Sequence, residues 1–269
     1  MIAQAGEATP GGTAAAAPGA AAHGGGLSID PMHQFQIDRY LPIKIFGLDA
    51  SFTNSALFML IAVGLITAFL VYAVRGGALV PNRLQSTAEL SYEFVAKMVR
   101  DNTGEEGMKF FPFVFSLFFF ILTLNMIGMI PYTFTVTSHI IVTFSLALFI
   151  FVLVTIVGFI KNGPGFLKLF VPSGVPIVLL PLLIVIEVIS YMIRPISLSV
   201  RLFANMMAGH MMLQVFAAFV VALGILGGLA PLLFMVAFTG LEILVAFLQA
   251  FVFAVLTCIY LNDALHMHH

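Results

Sequence analysis

The chain has 269 residues, of which 61% are hydrophobic and only 9% charged. A soluble domain is roughly a quarter charged, so the composition excludes that class and indicates a polytopic membrane protein. A net charge of −1 argues against nucleic-acid binding, and the single cysteine, Cys258, excludes a disulfide framework and a cysteine metal site. Cys258 lies in an apolar run and reads as a small buried or lipid-facing hydrophobe.

Residues 1–29 are rich in Ala, Gly and Pro and carry no Lys or Arg. They lack the features of a signal or transit peptide and are expected to form a flexible tail. Residues 30–269 then form a single membrane domain. Its first part, 30–49, mixes charges with apolar residues and reads as an interfacial segment. A first hydrophobic helix follows at about 51–75, long enough to span a bilayer.

Arg75, Arg83, Lys97, Arg100 and Lys109 make the largest basic cluster of the chain. The positive-inside rule places this loop in the cytoplasm, with the N-terminus outside and the C-terminus inside. Within the loop, Ser86-x-x-Glu89 has the pattern of a capping box. Leu90, Phe94, Val95 and Met98 form an apolar face, with Glu93 and Lys97 spaced to pair opposite it. The expectation is an amphipathic helix over 84–103, on the membrane surface or packed on a partner.

Hydrophobic helices are next expected at 111–130 and 137–160, separated by Pro131-Tyr-Thr-Phe-Thr. Asn125 has the placement of a helix–helix hydrogen bond. Two long runs, 176–222 and 230–262, flank a glycine-rich turn at 224–228. At about 1.5 Å per residue each exceeds the ~30 Å hydrocarbon core. Either Pro181 and Pro195 break the first run, or both helices are strongly tilted. The fold class is therefore all-α: five hydrophobic helices plus an amphipathic one, the last two a long antiparallel hairpin.

Between Lys168 and Asp263 the only full charges are Glu187, Arg194, Arg201 and Glu242. Intramembrane charges are costly and point by default to a functional site. Glu187, Ser190, Arg194, Ser197, Arg201 and Asn205 recur every three or four residues, which places them on one helical band. Ser199, Ala204, Ala208 and Gly209 add small residues near it, suited to close helix approach. Such a band must face protein or a water-filled cavity. Folding the hairpin about the glycine turn sets Arg201 opposite Gln249 and His210 opposite Glu242. The first contact predicts a hydrogen bond, the second a His–carboxylate proton relay. No acid in this register neutralises Arg201. Arg194, Ser197 and Ser199 have a structural reading as helix-gluing polar residues, with Arg194 paired to Glu187 or snorkelling.

The block Arg194-Pro-Ile-Ser-Leu-Ser-Val-Arg201-Leu-Phe-Ala-Asn205-Met strongly resembles subunit a of F-type ATP synthases. So do Asn125-Met-Ile-Gly-Met-Ile-Pro131, Ala208-Gly-His210 and Leu248-Gln-Ala-Phe-Val-Phe253. The likeness extends over nearly all of residues 35–265. It implies a proton-translocating stator that is not an enzyme alone, needs no cofactor or metal, and works beside a ring of c subunits. Peripheral-stalk b subunits, the lipid bilayer and, indirectly, the F1 sector are its other implied partners. Arg201 matches the family's essential arginine, which attracts c-ring carboxylates and separates two half-channels. Glu187 and Asn205 match half-channel positions, and Gln249 matches a position contacting the arginine. Many bacterial members have His and Glu exchanged relative to His210 and Glu242. The arrangement here is the alphaproteobacterial and mitochondrial one, and implies the bacterial inner membrane first and the mitochondrial one second. A secondary transporter would show repeated halves, and none is visible. A purely structural subunit of a respiratory complex would not need Arg201.

Overall fold

The computed structural model describes residues 39–41, 44–45, 48–49, 52–75, 82–130, 133–171, 176 and 178–265. The expected tail at 1–29 lies outside the described residues. Within the expected interfacial segment the described backbone forms two short antiparallel ladders. β1 (Arg39–Leu41) pairs with β4 (Phe52–Thr53), and β2 (Lys44–Ile45) pairs with β3 (Leu48–Asp49). The regular elements that follow among the described residues are all helical, as in an all-α polytopic membrane protein.

Helix α1 runs Asn54–Val74 and is capped by Thr53, whose hydroxyl accepts from the Ala56 amide. It starts three residues later than expected because Phe52 and Thr53 are held in the strand pair. Helix α2 (Arg83–Gly107) bends at Gly104, whose φ of 67° breaks the helical path. The expected end at 103 falls there. The capping box does not form. Asn82 caps the helix instead, so Ser86 is already inside it and Glu89 accepts from Gln85. Glu93 and Lys97 are exposed and form no ion pair among the described residues. The buried face is Val95, Met98 and Val99; Leu90 lies too far round the helix and is 67% exposed. This face packs on later helices, with the Phe94 ring against Phe118, Phe247 and Phe251.

Helix α3 (Phe111–Gly128) carries Pro112 in its first turn, where a missing amide costs nothing. A loop with a tight turn at Val136–Ser138 leads to α4 (Ile140–Asn162), closed by Gly163 at φ 57°. Asn125 is fully buried and donates to the Ala246 carbonyl at 3.3 Å, the expected inter-helix bond.

Helix α5 is continuous from Leu180 to Ala222, 43 residues and therefore about 65 Å long. Pro195 does not break it. Proline removes one backbone hydrogen bond, and the surrounding turns are held by packing at Tyr191, Leu198 and Leu202. A single helical turn, α6 (Gly224–Gly227), reverses the chain, with Gly224 at φ 66°. Helix α7 (Leu229–Leu265) returns for 37 residues. Ala246, Ala250, Ala254 and Cys258 form a small-residue ridge on it, all buried. Without large side chains there, α2, α3, α4 and α5 approach α7 closely, making it the centre of the bundle. Among the described residues, five helical stretches are long and apolar enough to cross a membrane: Asn54–Val74, the α3 part of Arg83–Gly128, Ile140–Leu167, Leu180–Ala222 and Leu229–Leu265.

Candidate functional site

The hairpin of α5 and α7 carries the polar residues. Its buried face on α5 is Tyr191, Pro195, Leu198, Ser199, Leu202, Met206 and His210. The band of Ser190, Ser197, Arg201 and Asn205 lies off that face and is exposed, with Glu187 and Arg194 partly covered. The sequence periodicity thus located an uncovered polar band inside an apolar helix. Arg201 has no hydrogen-bond or ion-pair partner among the described residues. Glu187 also makes no ion pair there. Ser199 is buried and bonds back to the Ile196 carbonyl at 3.0 Å, a local role that leaves it out of the band.

The paired residues confirm an antiparallel hairpin, with one change of register. His210 Nδ1 stands 3.0 Å from Glu242 Oε1, as the turn position predicts. Gln249, however, faces Asn205, not Arg201; Asn205 Nδ2 donates to Gln249 Oε1 at 3.1 Å. The pair nearer the turn keeps the expected register and the pair farther from it is one helical turn off, so α5 and α7 drift out of a simple fold-back along their length. Arg194 does not pair with Glu187. Its guanidinium reaches Asp263 Oδ2 at 3.0 Å and stacks near the rings of Tyr191 and Tyr260, at 5.4 and 4.9 Å. Asp263 was missed because its contact is set by α7 geometry near the chain end.

His210 and Glu242 are both buried. The imidazole is gripped from several elements. Nδ1 also lies 3.2 Å from the Met206 carbonyl, while Nε2 lies 2.6 Å from the Gly128 carbonyl and 3.0 Å from Thr135 Oγ1. Gly209 makes room for the carboxylate: a Cβ there would meet Glu242 Oε1 at 2.8 Å. Glu242 also lines a cleft of about 200 Å³ shared with Asn205, Gly209 and Met212. An imidazole, a carboxylate and an open cleft are therefore contiguous. Gln214 lies one turn beyond His210, and both its amide atoms are buried without a hydrogen-bond partner among the described residues. Gln249 Nε2 and Thr137 Oγ1 are in the same condition. In the loop before α4, His139 stacks on Phe134 at 4.9 Å, and burial lowers its pKa below the ordinary histidine value. Gly128 lies in the Asn125–Pro131 stretch that carries the resemblance, but without an assigned role; Thr135 and Gln214 have no pattern in sequence that would single them out.

The family model described as ATP synthase A chain matches residues 56–262. This chain belongs to that family. Among its relatives, the ATP synthase subunit a of Chelativorans sp. (strain BNC1) is 62% identical, covering 90% of this chain and 100% of the relative. That of Pelagibacter ubique is 61% identical with the same coverages. The Rhizobium meliloti subunit is 60% identical over 89% of this chain and 98% of its own length. These alphaproteobacterial relatives agree with the type that the order of His210 and Glu242 implied. As a family member, the chain brings its membrane helices and the arginine-centred band to an ATP synthase context.

Proposed function

We propose that this chain is the proton-translocating stator subunit of an F-type ATP synthase, with Arg201 as the group that meets the moving carboxylates of a c ring. The observation that carries this reading is a permanently charged side chain, exposed and unpaired among the described residues, midway along a 43-residue apolar helix. A guanidinium does not deprotonate at physiological pH. Facing lipid it would be intolerable, so its counter-ion belongs to another subunit. With a counter-ion that arrives and departs, the fixed charge draws each ionised c-ring carboxylate in and blocks direct proton passage.

In this reading the outer half-channel runs to His210 and Glu242, and Asn205 and Gln249 connect their cleft toward Arg201. The shared cleft favours Glu242 as the last donor before the ring, with His210 before it. Unpartnered buried amides at Gln214 and Gln249 suit a hydrated path, because such groups are costly unless water or protein satisfies them. The inner half-channel lies along Glu187. Each proton that crosses contributes about 2.3 kcal/mol per 100 mV. Offset channels on either side of Arg201 convert that energy into rotation. The chain does no chemistry alone; b subunits hold it and F1 uses the torque. Helices α5 and α7, about 65 and 55 Å long, are strongly tilted in a bacterial inner membrane, with the N-terminus outside.

ATP-driven proton pumping by inverted membrane vesicles tests the reading. Arg201→Ala should abolish pumping while the complex still assembles; intact pumping would refute the stator role. His210→Glu with Glu242→His should pump better than either single variant. A double variant no better than the singles would refute the relay.

A further inference from the structure

Gly128 and Thr135 lie outside the hairpin, yet they hold its histidine. Gly128 is the last residue of α3, and Thr135 is in the loop that follows. The Gly128 carbonyl stands 2.6 Å from His210 Nε2, and the Thr135 hydroxyl 3.0 Å from the same atom. Thr135 Oγ1 also donates to the Gly128 carbonyl at 3.3 Å, closing a triangle. Thr135 is 2% exposed and His210 8%.

Gly128 has ordinary helical backbone, so conformation does not require glycine here. Space does. A Cβ at Gly128 would lie 2.8 Å from Thr135 Cγ2, closer than side-chain carbons approach. The hydroxyl and the carbonyl can both reach the ring only while position 128 is bare.

The groups facing the ring come from four places. Glu242 comes from α7, the Met206 carbonyl from the preceding turn of α5, the Gly128 carbonyl from α3 and the Thr135 hydroxyl from the loop. Carbonyls at both nitrogens fit a ring that carries N–H on both, which is the state able to give a proton from Nδ1 to Glu242. Fixing Nε2 also fixes which edge of the ring Glu242 meets.

We propose that Gly128 and Thr135 form a clip that positions His210 for transfer to Glu242, making the α3–α4 loop a working part of the outer half-channel. This rests on the stator reading above. The clip acts through His210 and contacts no reacting carboxylate, so both residues are positioning residues. In the transfer it supports, the Nδ1 proton passes to the Glu242 carboxylate, leaving neutral imidazole and a neutral carboxyl. The Nε2–H bond to Gly128 holds the ring in place meanwhile, and no electrons change hands.

Four variants of the whole complex in inverted vesicles test the clip, with assembly followed by the amount of membrane-bound ATPase. Thr135→Val keeps the shape and loses the hydroxyl; it should slow pumping about five-fold, the factor for one typical hydrogen bond. Thr135→Ser keeps the hydroxyl and should recover most of that loss. Gly128→Ala should slow pumping by pushing Thr135 away. Adding Thr135→Ser to Gly128→Ala removes the obstructing methyl and should restore pumping, which a merely structural glycine would not predict. Wild-type pumping by Thr135→Val would overturn the clip, as would a double variant no better than Gly128→Ala. Arg201→Ala in the same vesicles separates the two readings: its loss of pumping beside a normal Thr135→Val would refute the clip alone.

Discussion

Arg194 and Arg201 are two turns apart on α5, on one band, in one apolar helix, and they are in opposite conditions. Arg194 has a carboxylate at 3.0 Å and two aromatic rings beside its guanidinium. Arg201 is exposed and has neither a hydrogen bond nor an ion pair among the described residues. Within α5 one ring distinguishes them: Tyr191 stands one turn before Arg194, and Leu198 one turn before Arg201. The stretch of α7 opposite differs as well: Asp263 and Tyr260 near its end, apolar residues and Gln249 near its middle. An arginine with a resident carboxylate is a fastener. One without is available to a partner.

That contrast can be broken by giving Arg201 a resident acid. Asn205→Asp places a carboxylate four residues along the same face, within reach of the guanidinium. Pumping should fall by at least about ten-fold, the equivalent of 1.4 kcal/mol of competition for the charge. Vesicle pumping at normal assembly checks it; unchanged pumping would mean that Arg201 need not be free. Arg194 should respond in the opposite sense. Asp263→Asn leaves that cation without its ion pair and should cost stability. The pair is partly exposed, so the loss should be small, roughly 1 kcal/mol. A lower melting temperature of the purified complex, with pumping largely retained, is the expected result. Abolished pumping at normal stability would show that Arg194 is no mere fastener.

Smaller still is the aromatic contribution. Tyr260→Phe keeps the ring and should leave thermal stability nearly unchanged. Tyr260→Leu should lower it by about 0.5–1 kcal/mol, the worth of a partly exposed cation–π contact. Equal effects of the two would show that the hydroxyl, not the ring face, supports Arg194.

The helices were legible because their apolar runs are long and their breaks chemically marked. Gly104, Gly163 and Gly224 all sit at φ values that stop a helix, and each falls near an expected boundary. Helix starts were less legible. Asn82 and Ser86 both have side chains suited to capping, and in the structure Asn82 holds the cap position, accepting from the Arg83 amide. The hairpin register placed His210 against Glu242 correctly, yet put Gln249 one turn from its true partner. A count of residues assumes that the two helices stay in step, whereas α5 and α7 are in the expected register at His210–Glu242 and one turn off at Asn205–Gln249.

By itself the sequence determined the polar band, because a 3.6-residue period fixes which side chains share a helix face whatever the helix packs against. It also determined that Arg201 would find no acid in its hairpin, since no acid is encoded at that depth. Tertiary structure decided the rest. It joined Arg194 to Asp263 across 69 residues, and His210 to Gly128 and Thr135 across 82 and 75. Such contacts depend on where a loop and a distant helix end come to rest in three dimensions. No local periodicity carries that information.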